Sequence, residues 1–297
     1  MDLTTLLIEG SLPGPHLLIT GGVHGDEFES MVAIRRLARV VDKQRLRGRL
    51  TLVPVVNEPA FLRGSRTAED GLDLARTCPG KVDGTVTEQI AHALSNLIRA
   101  ADFYIDLHTG GTTLSVWPLA GYIMHPQPRV LDQQRRMAQA FNLPVIWGTD
   151  YRLNGRSLSV ARDAEVPAIY CEYLGGARCE PAGIEAYVDG CLNVMSVLEM
   201  IDRPRPPRRV EHVVEDDRPS SGHMQICNPA PMTGLFEPAI ALGDWIEAGQ
   251  ELGTISDVAG QHVERVVSRQ SGRVIVLRTF ARVIAGDSLA VIMESLA

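Results

Sequence analysis

Residues 16–27 read HLLITGGVHGDE, and this stretch decides the fold. The short apolar run at 16–20 ends at Gly21 and Gly22, which predicts a buried strand followed by a tight turn. A helical pattern begins near Asp26. Open α/β sheets bind their ligands just beyond the carboxyl ends of the strands, so the polar residues after this turn are expected to lie at such an edge.

A second polar group follows another strand-like run, FYIDLH at 103–108, and its His108 lies 84 positions after His24. A histidine, a carboxylate three residues later and a distant second histidine form the three-ligand set of a catalytic zinc site, which keeps its fourth position for water. The same spacing also occurs by chance, and most histidines are surface or core residues. Because both groups stand at strand ends, the sequence predicts one zinc ion per chain, bound by His24, Glu27 and His108.

Strand-like and helix-like segments alternate along the first two thirds of the chain. This alternation predicts an α/β fold with a mixed, mainly parallel sheet flanked by helices. The strand-like runs are 16–20, 50–56, 102–107, 143–147 and 166–172, and the helix-like patterns are 26–41, 86–100, 127–141, 156–164 and 181–201.

The composition changes at 203–209, a proline- and arginine-rich stretch that cannot continue a helix. We expect an exposed linker here, and an anionic partner for its basic residues is the weaker alternative. The linker separates a predicted zinc-dependent catalytic α/β domain at 1–202 from a predicted all-β, barrel-like domain at 210–297.

The second domain contains an internal repeat. The glycine pair Gly234 and Gly249 and the pair Gly272 and Gly286 are separated by 15 and 14 positions in similar surroundings. This arrangement resembles the two-fold hammerhead of biotinyl/lipoyl-type barrels, which carry a modified lysine at a hairpin tip. The chain has no lysine after Lys81. The domain is therefore predicted to carry no swinging arm and to pack on the catalytic domain or shape the mouth of its cleft.

The composition limits the classes of partner. With 297 residues, 45% of them hydrophobic and 22% charged, the chain fits an ordinary globular protein with room for two domains. The net charge of −7 gives little support to a nucleic-acid partner.

Five cysteines without a CxxC pair argue against a disulfide scaffold. No apolar run is long enough to span a membrane and the first residues lack a signal-like pattern, so we expect a cytoplasmic protein without a membrane partner. Homo-oligomerisation is left open.

A general base is expected among the carboxylates at strand ends, because zinc-activated water must lose a proton. Residues 166–176 read VPAIYCEYLGG, so Glu172 ends an apolar strand just before two glycines. In isolation, such a residue is better explained as a carboxylate that caps a turn. Together with the metal motif, its position predicts that Glu172 carries the proton from water to the leaving amine.

Cations for an anionic transition state are expected in the stretch 57–80, which follows a strand and has little periodicity. A loop of this length in a compact domain is usually functional. Arg63, Arg66 and Arg76 each carry the planar guanidinium that clamps a carboxylate or an oxyanion. Their spacing does not rank them, and exposed salt bridges are the alternative role for each.

Together these motifs resemble the succinylglutamate desuccinylase/aspartoacylase family, whose members are relatives of the zinc carboxypeptidases. The resemblance covers most of residues 15–295, including the β domain. It is carried by GGVHGDE at 21–27, the asparagine–proline segment at 57–59, Arg66 followed by DLAR at 73–76, DLHT at 106–109 and PAIYCEYLGG at 167–176.

The resemblance implies a zinc carboxypeptidase-like fold and the chemistry of the metal site. It implies that His24, Glu27 and His108 hold the zinc ion. Glu172 is then the general base and afterwards the general acid. Asp106 supports the metal ligands from behind.

The resemblance also implies how the substrate is held. Arg66 polarises the scissile carbonyl and holds the oxyanion, and Arg76 binds a substrate carboxylate. Asn57 and Arg63 complete the predicted substrate-binding set. The chain departs from the family at Ala75, where the family has an asparagine that helps the arginine grip the carboxylate. This departure leaves the metal and the base in place and affects the expected substrate.

The predicted activity is zinc-dependent hydrolysis of the amide bond of a small N-acyl amino acid. The acyl group is left open between acetyl, succinyl and other small groups, and N-acetyl-diaminobutyrate-like substrates fit bacterial relatives. One alternative is a carboxypeptidase-like peptidase, against which a β domain that narrows the cleft would argue. The other is a zinc-bearing binding protein without turnover, marked by Ala75, against which Glu172 argues.

Overall fold

The computed structural model of the chain describes residues 2–219, 221–222, 224 and 227–294. Its strands are β1 (Leu6–Glu9), β2 (Leu12–Gly21), β3 (Arg47–Val53), β4 (Phe103–His108), β5 (Leu114–Ile123), β6 (Val145–Thr149), β7 (Ala168–Gly175), β8 (His212–Glu215), β9 (Gly234–Pro238), β10 (Trp245–Ile246), β11 (Glu251–Ser256), β12 (Val263–Val267), β13 (Gly272–Arg278), β14 (Arg282–Val283) and β15 (Ala290–Met293). Its helices are α1 (Phe28–Val40), α2 (Glu58–Arg63), α3 (Val86–Arg99), α4 (Pro128–Phe141), α5 (Ser157–Asp163) and α6 (Pro181–Val197), with a short 3-10 turn at Leu74–Arg76. Within the described residues, no helix has the length and apolar character needed to cross a lipid bilayer.

Eleven of the described strands form one sheet. Its central strands β3, β2, β4 and β7 are parallel neighbours in that order, as expected where helices connect successive strands. The sheet continues with β5, which is antiparallel to β7 and parallel to β6. The predicted mixed, mainly parallel sheet is therefore confirmed.

Helices cover both faces of this sheet. Helices α1, α4 and α6 pack on one face, and α3 and α5 pack on the other. Side chains alternate along β2, so Leu17 and Ile19 enter the first core whereas Leu18 enters the second. The start of α3 is fixed by a capping box, in which the backbone N–H of Thr85 donates to the Glu88 carboxylate.

The same alternation brings polar residues of three strands onto one face. In β4, Ile105 packs in the core under α1, α4 and α6. Because side chains alternate along a strand, Asp106 and His108 lie on the opposite face of the sheet. The strand register places Thr20 of β2 beside Asp106 and Glu172 of β7 beside His108. These side chains therefore meet near the carboxyl ends of parallel strands.

Strand β5 is absent from the predicted strands. Pro118 lies in its middle and cannot donate a backbone hydrogen bond, and the pairing with β7 shifts register between Val116 and Leu119. A Cβ atom at Gly121 would lie 2.2 Å from the ring of Tyr170. The proline and the glycine obscure the strand pattern, yet they shift its pairing and make room for the Tyr170 ring.

The C-terminal β region reflects its internal repeat. Strand β9 pairs with β11 in the first repeat, and β13 pairs with β15 in the second. Each short strand pairs with a strand of the other repeat: β10 of the first repeat pairs with β13, and β14 of the second repeat pairs with β9. Strands β12, β11, β9 and β14 form a separate four-stranded antiparallel sheet. The predicted all-β C-terminal region is confirmed.

The main sheet crosses the predicted domain boundary. Strand β8 pairs with β6, and β13 pairs with β5. Residues 203–209 form no helix or strand, and the Asn142 side chain accepts from the N–H of Arg209 and donates to the carbonyl of Pro207. The division into 1–202, a linker and 210–297 stays a prediction, and 295–297 lie outside the described residues.

Candidate metal centre and substrate cleft

Three buried side chains converge where β2 and β4 end. His24 lies in the loop after β2, Glu27 immediately precedes α1, and His108 is the last residue of β4. One ligand atom from each lies within 4.8 Å of the other two. The Nδ1 atom of His24 lies 2.6 Å from Glu27 Oε1, and that of His108 lies 3.0 Å from Glu27 Oε2. The structure thus brings together the three predicted metal ligands, with the Nδ1 atom of each histidine beside one oxygen of the Glu27 carboxylate.

Each histidine also has a carboxylate on its other ring nitrogen. His24 Nε2 lies 3.1 Å from Asp73 Oδ1, and His108 Nε2 lies 3.1 Å from Asp106 Oδ2. Asp106 is itself held, because it accepts hydrogen bonds from Thr20 and Ser157. Such carboxylate–histidine contacts fix the orientation of a metal-binding imidazole. The contact of Asp106 with His108 fits its predicted supporting role. Asp73 makes the equivalent contact with His24, and this contact was not predicted from the sequence.

The charges of the group are suited to a cation. Burial alone would raise the pKa of Glu27, but His24 and His108 hold it well below its usual range. Burial alone would lower the pKa of His108, but Asp106 and Glu27 raise it well above its usual range. Metal binding to histidine displaces a proton. Imidazole and carboxylate ligands in a three-residue set fit zinc.

Gly25 and Asn57 explain how the loop that carries His24 is supported. A Cβ atom at Gly25 would lie 2.1 Å from the carbonyl carbon of Ala60, so only glycine lets α2 pack this closely. Asn57 is buried and caps α2, where its Oδ1 accepts from the N–H of Ala60 at 3.2 Å. Asn57 does not line the cleft, and Arg63 lies exposed at the end of α2, also outside the lining.

Arg66 approaches the metal group from the loop after α2. Its NH2 group lies 3.0 Å from Asp73 Oδ2, and its NH1 group lies 3.9 Å from Glu27 Oε1. Burial opposes the charge of Arg66, but Asp73 and Glu27 together raise its pKa. Because Asp73 also contacts His24, a single carboxylate positions both a metal ligand and this cation.

Glu172 lines the cleft beside the metal group. It is 7% exposed, and its Oε2 atom has no hydrogen-bond partner among the described residues. Burial raises the pKa of Glu172 to about 8, with Glu27 and Asp106 adding to the effect and His108 and Arg66 opposing it. A buried carboxyl group with such a pKa suits proton transfer near neutral pH.

One side of the cleft, which we call the arginine side, carries two cations that are close to each other. It is lined by Ala75, Arg76, Arg156 and Tyr170. Burial, with the charge of Arg76 adding to it, lowers the pKa of Arg156 to about 10. The Nε atom of Arg156 has no hydrogen-bond partner in the described part of the chain. A concave surface with two neighbouring cations favours an anionic ligand.

The cleft has a second side, which we call the β-region side. Its lining includes Leu114, Val116, Met224, Arg278, Asp287 and Ser288. His24, Arg66, Glu172 and Met224 line both sides. The candidate metal group and Glu172 therefore lie at the junction of the two sides.

Comparison with known proteins agrees with this architecture. Residues 13–198 match the model of the succinylglutamate desuccinylase/aspartoacylase catalytic domain. The chain belongs to this family. A relative in Halomonas elongata, N-alpha-acetyl-L-2,4-diaminobutyric acid deacetylase, is 33% identical over an alignment 294 positions long, which covers 95% of this chain and 82% of the relative.

Solved structures of the family share the whole fold. A succinylglutamate desuccinylase/aspartoacylase from Rhodobacter sphaeroides is 28% identical with a TM-score of 0.87, and the match covers 98% of this chain and 89% of that one. The product-bound ectoine utilization protein EutE (DoeB) from Ruegeria pomeroyi is also 28% identical with a TM-score of 0.87, over 98% of this chain and 88% of that one.

Two site residues of this family member were missing from the predicted set. Asp73 belongs to the quoted DLAR segment, but nothing in the spacing shows that it contacts His24, 49 positions away. Arg156 precedes α5 between a glycine and a serine, and no sequence signal distinguishes it from an exposed arginine. Ala75, the departure from the family pattern, lines the arginine side beside Arg76.

Proposed function

We propose that this protein hydrolyses the amide bond of a small N-acyl amino acid in a zinc-dependent reaction, releasing a carboxylic acid and a free amino acid. The observation that carries the proposal is the position of Glu172, a buried carboxyl group that lines both sides of the cleft beside the candidate metal group. Family membership and the named activity of the Halomonas elongata relative support it.

In this proposal one zinc ion per chain is held by His24, Glu27 and His108. Asp73 and Asp106 contact the Nε2 atoms of the two histidines and would fix the orientation of both imidazoles. When bound, zinc lowers the pKa of a water molecule and polarises a carbonyl oxygen.

The residues of the chain would carry out the proton transfers. Glu172 accepts a proton from the attacking water as the water oxygen bonds to the acyl carbon. It then gives that proton to the amide nitrogen as the carbon–nitrogen bond breaks, so the acid and the amine leave with all atoms accounted for. Arg66 is placed to stabilise the charge that develops on the carbonyl oxygen.

The arginine side would bind the substrate carboxylate through Arg76 and Arg156. A guanidinium group pairs with a carboxylate in a planar, directional contact. Asn57 and Arg63, which are outside the cleft lining, are left out of the proposed set. Residues of the C-terminal β region line the cleft next to the metal group, which favours a small substrate over a peptide.

The proposal is tested with the zinc-loaded protein and a panel of N-acyl amino acids, with release of free amine as the measurement. We expect turnover that a chelator abolishes and added zinc restores. His24→Ala should lose both the metal and the activity while the protein stays folded, and His262→Ala, which changes an exposed histidine, should keep both. Full zinc occupancy in His24→Ala would show that the ligand set is wrong, and an inactive zinc-loaded wild type would support a binding protein instead.

A further inference from the structure

The β-region side of the cleft contains a charged pair that the proposed reaction does not use. Arg278, the last residue of β13, is only 8% exposed. Its NH2 group lies 2.9 Å from Asp287 Oδ2. The guanidinium also donates to the carbonyls of Phe280 and Arg282, at 3.1 and 3.0 Å. The cation is therefore fixed in the wall of the cleft and is neutralised by Asp287.

The place of this pair in the cleft follows from the geometry of an amide. The scissile bond must lie at the junction, where His24, Arg66 and Glu172 line both sides. If the amino-acid carboxylate lies on the arginine side, the acyl group on the other end of the bond extends into the β-region side. The apolar residues that line the β-region side are Leu114, Val116 and Met224.

The carboxylate of Asp287 is not needed for the turn in which it lies. Asp287 Oδ2 accepts from the N–H of Ile284 at 2.9 Å, and the Asp287 N–H donates to the Ile284 carbonyl. The equivalent turn in the other repeat is closed in the same way by Gln250, whose Oε1 accepts from the N–H of Glu247 at 3.0 Å and whose N–H donates to the Glu247 carbonyl. A neutral side chain thus performs the same capping role where no cleft is near.

We infer that Asp287, by neutralising Arg278, makes the β-region side a pocket for short uncharged acyl groups such as acetyl and selects against dicarboxylic acyl groups such as succinyl. The inference rests on the proposed function. A succinyl group would bring its terminal carboxylate to a pocket where the cation is already paired and Asp287 repels it. Discrimination of this kind acts against the wrong substrate without a gain for the right one.

The test compares kcat/KM for the N-acetyl and N-succinyl derivatives of one amino acid, with the zinc-loaded full chain. We expect the wild type to prefer the acetyl derivative. Asp287→Asn keeps an oxygen for the Ile284 N–H and removes the charge, so the preference should fall about ten-fold or more, mainly through faster use of the succinyl derivative. Arg278→Gln leaves Asp287 unneutralised, so it should shift the preference in the opposite direction.

The matched control is Asp244→Asn. Asp244 is exposed and caps a turn in the same way, with its Oδ2 accepting from the N–H of Ala241 at 2.8 Å, but it does not line the cleft. It should leave the acyl preference unchanged. Opposite shifts in the two cleft variants would distinguish charge selection from loss of structure, because a damaged fold would lower both rates.

The results that would overturn the inference differ from those that would overturn the proposed function. A wild type that uses both derivatives equally, or an unchanged preference in Asp287→Asn, would overturn the inference alone. A wild type that hydrolyses neither derivative would overturn the proposed function. In that case, dissociation constants of the two compounds, measured by calorimetry on the same variants, would still show whether Asp287 selects the acyl group.

Discussion

The two sides of the cleft both present arginines, but they hold them differently. On the arginine side, the charge of Arg76 adds to burial in lowering the pKa of Arg156. On the β-region side, Arg278 is paired with Asp287. The two neighbouring cations of the first arrangement suit an anionic group, whereas the cation of the second is ion-paired with a carboxylate in the cleft wall. The number of arginines in a surface therefore does not decide what it binds, whereas the carboxylates that face them do.

The largest expected effect comes from Glu172, which lines both sides. Glu172→Gln should lower kcat by roughly 10²–10⁴-fold, the usual range for loss of a general acid/base. The loss should be equal for acetyl and succinyl substrates, and zinc content should not change. Steady-state kinetics and metal analysis measure both. The exposed Glu211→Gln is the control. Near-normal turnover in Glu172→Gln would move the base to Asp26, Glu69 or Asp106.

The arginine side is tested by Arg76→Ala. Charge-assisted hydrogen bonds contribute about 1.5–3 kcal/mol each, so KM should rise about ten- to a hundred-fold for a substrate with a free carboxylate, with a smaller change in kcat. The same substrate with an amidated carboxylate should be affected much less. Arg63→Ala, at the exposed end of α2, serves as the control. If Arg76→Ala affects both substrates equally, Arg76 is not the carboxylate clamp, and Arg156 on the same side is left as the proposed clamp.

Asp73 connects the arginine side to the metal group, because it contacts both His24 and Arg66. Asp73→Asn should weaken zinc binding about ten- to a hundred-fold, the usual effect of losing a carboxylate behind a metal-bound histidine. A competition titration with a chelator measures the affinity. Asp83→Asn changes an exposed carboxylate and should bind zinc normally. Wild-type zinc affinity in Asp73→Asn would mean that Asp73 serves Arg66 alone.

The smallest expected effect is that of Ala75→Asn, which tests how tightly the arginine side binds a carboxylate. Ala75→Asn introduces the amide that the family has beside this arginine, and one added hydrogen bond of about 0.5–1.5 kcal/mol should improve kcat/KM roughly two- to ten-fold for substrates with a free α-carboxylate. Amidated substrates should gain nothing. Kinetics on the two substrates give the answer. Poorer use of the better substrate would show instead that Ala75 makes room for a larger or differently charged group.

The sequence predicted the parts of the site that stand at the ends of regular strands. His24, His108 and Glu172 follow apolar runs whose period and length are readable, and the parallel register places His108 beside Glu172. Strand β5 was missed because Pro118 and Gly121 interrupt its pattern. The register shift with β7 lies beside that proline, and such irregular pairing leaves no period to detect.

The contacts between distant loops were not predictable from spacing. Asp73 and Arg66 are seven positions apart in a stretch without periodicity, and their common approach to Glu27 and His24 depends on how α2 and the 3-10 turn fold back. The Arg278–Asp287 pair joins the end of β13 to the turn between β14 and β15, and the spacing of the two residues does not show this contact. Sequence patterns describe neighbours along one segment, and these contacts join segments.

The pairing of β13 with β5 and of β8 with β6 has a practical consequence for anyone who wishes to shorten the protein. Residues 203–209 look like a natural place to cut. A chain that ended there would leave the backbone of residues 114–116 and of residues 145–148 without their outer partners, beside the apolar side chains of Val116 and Trp147. Bare strand edges of this kind invite pairing with other copies. We expect the truncated protein to aggregate during expression. The C-terminal region therefore also protects the edges of β5 and β6 from pairing with other chains.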